Sequence, residues 1–457
     1  MRTALAIAAA RLAALLSTTF TKGGATSLPG LIALKIQPRL IEILSTKLAG
    51  CIVVTGTNGK TTTSRFIGNT LERDGRSLVH NQSGSNLLRG IATTLSMRKG
   101  LGRGDTWGLF EVDEATMPSA CAQLRPGTAL VTNLFRDQLD RYGELKRTAD
   151  YLRQGLGVLP ETSTVILNSD DPLVASLGAG LDSSVRYYGI EDSTAGRRGL
   201  PHAADSLTDQ HGNLLEYGSV FVGHLGHYHS PDGSLERPRP DIAVTKVSLN
   251  GLTGSEFTCK VSSGTLSVTL PLPGLYNIYN ALAAISVADA LGIAADTTVT
   301  ALTGTAAAFG RLEKIVVGSK YLFISLIKNP TGANEVIRTL ASEPSRKRLL
   351  IIINDNFADG RDVSWLWDAD FEELVPLAEH VSIAGTRADD MAVRMKYAGA
   401  GPDTVTVHGK IAAAVTTALE AVPEGETLYV MPTYTAMLEL RQHLAASGLV
   451  KHYLRES

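Results

Sequence analysis

Along the first third of the chain, short blocks of consecutive apolar residues alternate with longer stretches of mixed character. Cys51-Ile52-Val53-Val54 is the first such block, and an unbroken apolar run of this length predicts a strand buried on both faces. The same pattern predicts a helix over residues 60–73, a strand over 77–81, a helix over 86–99, and strands over 106–112, 129–132 and 164–168. Strand and helix patterns in alternation imply a mostly parallel sheet with ligands at the carboxyl ends of its strands. Residues from about 190 to 245 break the rhythm. Gly, His, Ser, Asp and Pro dominate there, so a small irregular insertion is expected. A Thr/Val/Leu run predicts a strand over 262–270, and a helix is expected from Tyr279 to Leu291, ended by Gly292. A change of composition near 305–315 opens a last α/β unit, with strands predicted over 321–326, 348–354, 380–383, 404–407 and 427–432.

The turn after the first strand narrows the chemistry. Gly56-Thr57-Asn58-Gly59-Lys60-Thr61-Thr62 places two glycines where the backbone must curl so that successive N–H groups converge. The following helix N-terminus adds partial positive charge, Lys60 a full charge, and Thr61 a hydroxyl able to ligate magnesium. At an effective dielectric near 20, a lysine ~4 Å from a phosphate oxygen gains roughly 4 kcal/mol per unit charge. Val54 stands where the general G-x-x-x-x-G-K-[ST] loop begins with glycine, so this is a shorter form of it. A nucleoside triphosphate is the expected ligand. Other strand ends are polar too: Glu111 and Asp113, the run from Thr132 to Glu144 (TNLFRDQLDRYGE), and Asn168 with Asp170 and Asp171. A strand-end carboxylate beside such a loop is where a nucleotide-using site holds Mg²⁺.

Composition bounds the remainder. The 457 residues are 44% hydrophobic and 19% charged, enough for about three domains with cores of their own. A net charge of −2 offers no electrostatic reason to expect nucleic acid. Three cysteines, Cys51, Cys121 and Cys259, are too few and too scattered for a disulfide framework, which fits a reducing cytoplasm. The first 20 residues have the basic start and Ala/Leu run of a leader, but Arg11 divides that run. A packed amphipathic helix is expected there rather than a signal peptide, and such a helix is compatible with peripheral contact at the inner face of the membrane.

Together GTNGKTTT, strand-end Glu111, TNLFRDQLDRYG, LNSDDP, PGLYNIYNALAA and FGRLEKI resemble the Mur ligase superfamily, in its order, over about residues 50–450. The resemblance implies an α/β protein: a helical lead-in (1–50), a Mur ligase-like central P-loop ATPase domain with a parallel sheet (51–305), and a C-terminal Rossmann-like α/β domain (306–457). Such enzymes use ATP to activate a carboxylate as an acyl phosphate, and an amine then displaces phosphate. Carried over residue by residue, Gly56 to Thr62 cradle the phosphates, Lys60 and Thr61 hold the β/γ-phosphates and Mg²⁺, and Glu111 is a metal ligand. Asn168 and Asp171 belong to the nucleotide site, Asn277 and Asn280 face adenine, and Arg311 reaches the phosphates.

Three departures point to one branch. Only about 55 residues precede the loop, leaving no room for the uridine-nucleotide domain of other members. The D-H-L-D pattern reads Asp137-Gln138-Leu139-Asp140, without the histidine expected near a second metal. Residues 354–372 (NDNFADGRDVSWLWDADFE) have no counterpart in ordinary amino-acid-adding ligases. These features, with KNPTGANE from Lys328 to Glu335, resemble the MurT family. That resemblance implies amidation of the D-glutamate α-carboxylate in lipid II at the membrane surface, with ammonia from a GatD-type class I glutamine amidotransferase. It also places on Asp362 the role of completing the partner's Cys–His pair; the alternative is that Asp355, Asp359 and Asp362 only cap turns. Many members carry a four-cysteine zinc ribbon in the insertion, whereas this chain has histidines there (His202, His211, His224, His227, His229), so no zinc is expected. A folylpolyglutamate synthase and a nucleotide-binding scaffold for the amidotransferase are the competing readings.

Overall fold

The computed structural model describes residues 1–20, 27–81, 85–102, 104–136, 145–200, 204–205, 208–209, 211–305 and 311–449. Its larger sheet has nine strands in the order β11-β10-β9-β6-β5-β4-β1-β3-β2. At its centre β1 (Gly50–Thr55) runs parallel to β3 (Thr106–Glu111) on one side and β4 (Thr128–Val131) on the other. β2 (Ser77–His80), β5 (Thr164–Asn168) and β6 (Ser184–Ile190) extend the parallel sheet outward. β1 is apolar from Cys51 to Val54 because both faces are covered. Ile52 and Val54 face the helices Lys60–Arg73 and Leu275–Ala290, and Val53 faces the side packed by Leu88–Met97, Met117–Leu124 and Leu145–Leu156.

The segment expected to be irregular is more ordered than its composition suggests. It holds a hairpin, β7 (Glu216–Val222) with β8 (Leu225–His229), and the start of β9 (Ile242–Leu249). β9 joins β6 in parallel, and β10 (Ser255–Val261) and β11 (Gly264–Leu270) follow it antiparallel. The helix expected from Tyr279 begins at Leu275, after Gly274 at φ +90°. It is buried on nearly every side, so no polar stripe marks its first turn.

A second sheet has the order β12-β13-β17-β14-β15-β16. β13 (Lys320–Ser325), β17 (Thr427–Pro432), β14 (Lys347–Ile352), β15 (Ala378–Ala384) and β16 (Val405–Val407) are parallel, and β12 (Arg311–Val317) is antiparallel at the edge. Ahead of the large sheet lie the helices Arg2–Phe20, Leu28–Ile36 and Leu40–Ser45. Among the described residues no helix is long and apolar enough to cross a membrane.

Candidate functional site

The chain turns sharply where β1 ends, through Gly56 at φ +120° and Gly59 at φ +87°. Side chains are excluded at both positions: a Cβ would lie 2.3 Å from Thr132 Oγ1 at Gly56 and 2.1 Å from Asn280 Oδ1 at Gly59. The loop is laced to the end of β4. Thr57 N donates to Asn133 O (2.9 Å), Asn58 N to Asn133 Oδ1 (2.8 Å), and Thr132 Oγ1 to Asn58 O (2.9 Å). Phe135 N donates to Thr57 Oγ1 at 3.0 Å. Lys60 Nζ donates to the Gly56 carbonyl and pairs with Glu114 Oε1 at 3.3 Å. Sequence reasoning missed Glu114; its only signal was a place three residues beyond strand-end Glu111.

Next to the loop, Thr61 Oγ1 donates to Glu111 Oε2 at 3.0 Å. Glu111 is held by Asn81, whose side chain donates to Glu111 O and accepts from Glu111 N, each at 2.9 Å. The other carboxylate oxygen, Oε1, lies 3.8 Å from His80 Nε2, and both atoms are buried without a hydrogen-bond partner. A hydroxyl and an under-satisfied carboxylate beside this glycine-bracketed loop are hard oxygen donors, a donor set that fits Mg²⁺. Asp113 instead caps the short helix Glu114–Thr116 by accepting from Ala115 N at 3.2 Å.

A cavity of about 110 Å³ opens from the loop toward the second sheet. Asn58, Gly59, Asn133 and Phe135 line one wall, Tyr276, Asn277 and Asn280 another, and Lys328, Thr331 and Glu335 the third. Asn280 Nδ2 donates to Asn277 Oδ1 (3.2 Å), and Asn280 Oδ1 accepts from Thr63 Oγ1 (3.3 Å). Asn329 joins the two sheets' bodies: its amide donates to Asn58 Oδ1 (3.1 Å) while its oxygen caps the helix Pro330–Ala341 through Gly332 N (2.8 Å). Burial pushes the Glu335 carboxyl above its usual range, opposed by Arg338 and Arg197.

Other expected residues lie elsewhere. Asn168 and Asp171 are fully buried behind the loops and do not line the cavity. Asn168 donates to Thr132 O (3.0 Å), while Asp171 accepts from Leu134 N (2.7 Å) and caps the helix Pro172–Ser176 through Leu173 N (3.0 Å). Arg311 opens β12, and the Asp137–Asp140 pattern lies outside the described residues. In the second body Asp362 is exposed, accepting from Ser364 N at 2.8 Å. Asp359 is buried and accepts from Thr435 N at 2.7 Å, and Asp355 pairs with Arg387 at 3.0 Å. Three insertion histidines have separate settings: His224 is buried 3.5 Å from Asp171, His227 bonds Ile190 O at 2.7 Å, and exposed His229 pairs with Glu216 at 3.3 Å.

A parallel sheet with a glycine-bracketed loop after its central strand, joined across a cavity to a second, mostly parallel sheet, is the architecture of the Mur ligases. Residues 54–222 match the Mur ligase middle domain. The fold is similar to a pseudomurein peptide ligase type C from Methanothermus fervidus (TM-score 0.68, 22% identity, 87% of this chain and 79% of that one). It is also similar to MurF ligase from Thermotoga maritima in complex with ADP (TM-score 0.63, 14% identity, 89% and 83%). Residues 326–437 match the MurT ligase C-terminal family. Over 432 residues, 94% of each chain, the sequence is 32% identical to the lipid II isoglutaminyl synthase (glutamine-hydrolyzing) subunit MurT of Streptococcus pneumoniae. The chain belongs to the MurT family.

Proposed function

We propose that this chain is the synthetase subunit of a lipid II isoglutaminyl synthase, working in the cytoplasm on a lipid-linked substrate. The α-carboxylate of D-glutamate in the stem peptide attacks the γ-phosphorus of ATP, giving an acyl phosphate and ADP. Ammonia then adds to the acyl carbon, phosphate leaves, and a proton is lost to give the D-isoglutamine amide. The observation that supports this reading best is the continuity of loop, donor pair and cavity: Gly59 abuts Asn280 of the cavity wall, and two residues on Thr61 meets Glu111. Thr61 and Glu111 would hold Mg²⁺, which supplies charge neutralisation for the phosphates. Lys60, released from Glu114 and the Gly56 carbonyl, would pair with the β/γ-phosphates, and Asn277 and Asn280 would meet adenine. Asn168 and Asp171 serve the site through the loops they brace.

The partner in this reading is a GatD-type glutamine amidotransferase, with exposed Asp362 orienting its catalytic histidine. Ammonia is mostly protonated in neutral water, so delivery within a complex suits the chemistry. The working division is a nucleotide-binding part over about 51–305 and a partner-binding part over 306–457. The test is amidation of lipid II with ATP, Mg²⁺ and ammonium chloride, with the amidotransferase present or absent. Ammonia should suffice alone, glutamine only with the partner, and Glu111→Ala should abolish both while leaving the partner bound. Product from neither nitrogen source would refute the reading.

A further inference from the structure

The helix Arg2–Phe20 is packed the wrong way round for a soluble protein. Its small residues Ala6 and Ala10 are buried, against the layer formed by the helices Leu28–Ile36 and Leu88–Met97. Its leucines face outward: Leu5, Leu12 and Leu16 are 60%, 59% and 52% exposed. Spacings of seven and four put these three on one side of the helix, with exposed Ala8 beside them. Leu28 and Leu31 of the neighbouring helix are exposed as well, at 44% and 40%. Scattered apolar residues are normal on a surface, but a contiguous set of leucines signals something that covers them.

Charge identifies the occupant. Residues 1–104 contain fourteen Lys and Arg against three Asp and Glu, a net of +11, whereas residues 105–457 carry −13. The helices Arg2–Phe20, Leu28–Ile36 and Leu88–Met97 contain no carboxylate at all. Arg2, Lys35, Arg89 and Lys99 are exposed on or beside this layer. Arg11 lies flat across it, donating to Ser96 O (3.0 Å) and Arg98 O (3.2 Å). Exposed leucines beside cations, on helices without a carboxylate of their own, suit an anionic lipid surface, and the helix is unsuited to crossing the bilayer.

We infer that the helix Arg2–Phe20 docks in the plane of an anionic bilayer, with Leu5, Leu12 and Leu16 in the acyl boundary and the basic residues on the headgroups. The inference deepens the function proposed above by stating how the chain meets a lipid-linked substrate, but the docking itself requires neither nucleotide nor chemistry. The purified full chain would be sedimented with vesicles of phosphatidylcholine alone and with about 30 mol% phosphatidylglycerol, without ATP. Binding is expected on the anionic vesicles, weakened by salt and reduced about tenfold or more by Leu12→Glu with Leu16→Glu. Both positions face solvent, so the variant's circular dichroism and melting should match the parent. Absence of binding, or binding unchanged in the variant, overturns the inference. A parent dimer that the variant splits also overturns it, since a second copy would then cover the leucines. Amidation of detergent-solubilised lipid II should be equal in parent and variant. Its loss in both would sink the proposed function while leaving the vesicle result standing.

Discussion

Gly59 offers a quantitative test of how the loop after β1 is built. Gly59→Ala places a Cβ in a left-handed conformation, at about 1–2 kcal/mol. The new atom would also stand 2.1 Å from Asn280 Oδ1, so Asn280 must move. Moving it breaks its hydrogen bonds with Thr63 (3.3 Å) and Asn277 (3.2 Å), each worth about 0.5–1.5 kcal/mol. The single substitution should therefore destabilise the local structure by about 2–5 kcal/mol, and Asn280→Ala alone by about 1–3 kcal/mol. In the double variant the clash is gone and the bonds are already lost, so its total should stay near that of Gly59→Ala. The two effects then fall short of additivity by about 1–3 kcal/mol. A chain with two sheets need not unfold in one step, so the readout should be local: native-state hydrogen exchange of amides in the helix Lys60–Arg73. Additivity to within about 0.5 kcal/mol would refute the claim that Asn280 is what excludes a side chain at position 59.

Asp362→Asn should lower glutamine hydrolysis by the assembled complex while ATP binding persists; normal glutaminase activity would reduce Asp362 to a turn residue. Arg237→Ala strands the fully buried Asp170, which Arg237 Nε meets at 2.6 Å, and should cost about 3–5 kcal/mol, visible as a lower melting temperature. An unchanged melt would mean that Tyr279 and Ile190 N suffice to hold that carboxylate. Burial pushes all three thiols up from an ordinary value of 9.0, Cys121 and Cys259 to about 12. A raised folded-state pKa gives stability that is intact below pH 9 and lost as pH rises from 9 toward 12, because only the unfolded chain ionises there. Stability should fall over that window, and a disulfide reagent at pH 8 should label these cysteines only at the rate of unfolding. Rapid labelling of the native protein would show them accessible.

What the sequence made legible is what the backbone demands locally. Gly56 and Gly59 are glycines because of their φ angles and close neighbours, and an unbroken apolar run marks β1 because both its faces are covered. What it left obscure depends on which strand ends become neighbours. β1 lies between β3 and β4 because the chain first builds outward to β2 and β3, then returns to the other side for β4. That reversal brings Glu111, His80, Asn133 and Lys60 to one crevice from four separate segments, and no spacing in the sequence encodes it. Asn168 and Asp171 sit at the end of β5, one strand further from the reversal, and there the same polar strand-end signature serves backbone groups. Polar residues at a strand end thus have two physical explanations, ligand binding and loop bracing. Glu111, one strand from β1, is left with an under-satisfied oxygen, whereas Asp171, beyond β5, accepts from the backbone N–H groups of Leu134, Leu173 and Val174.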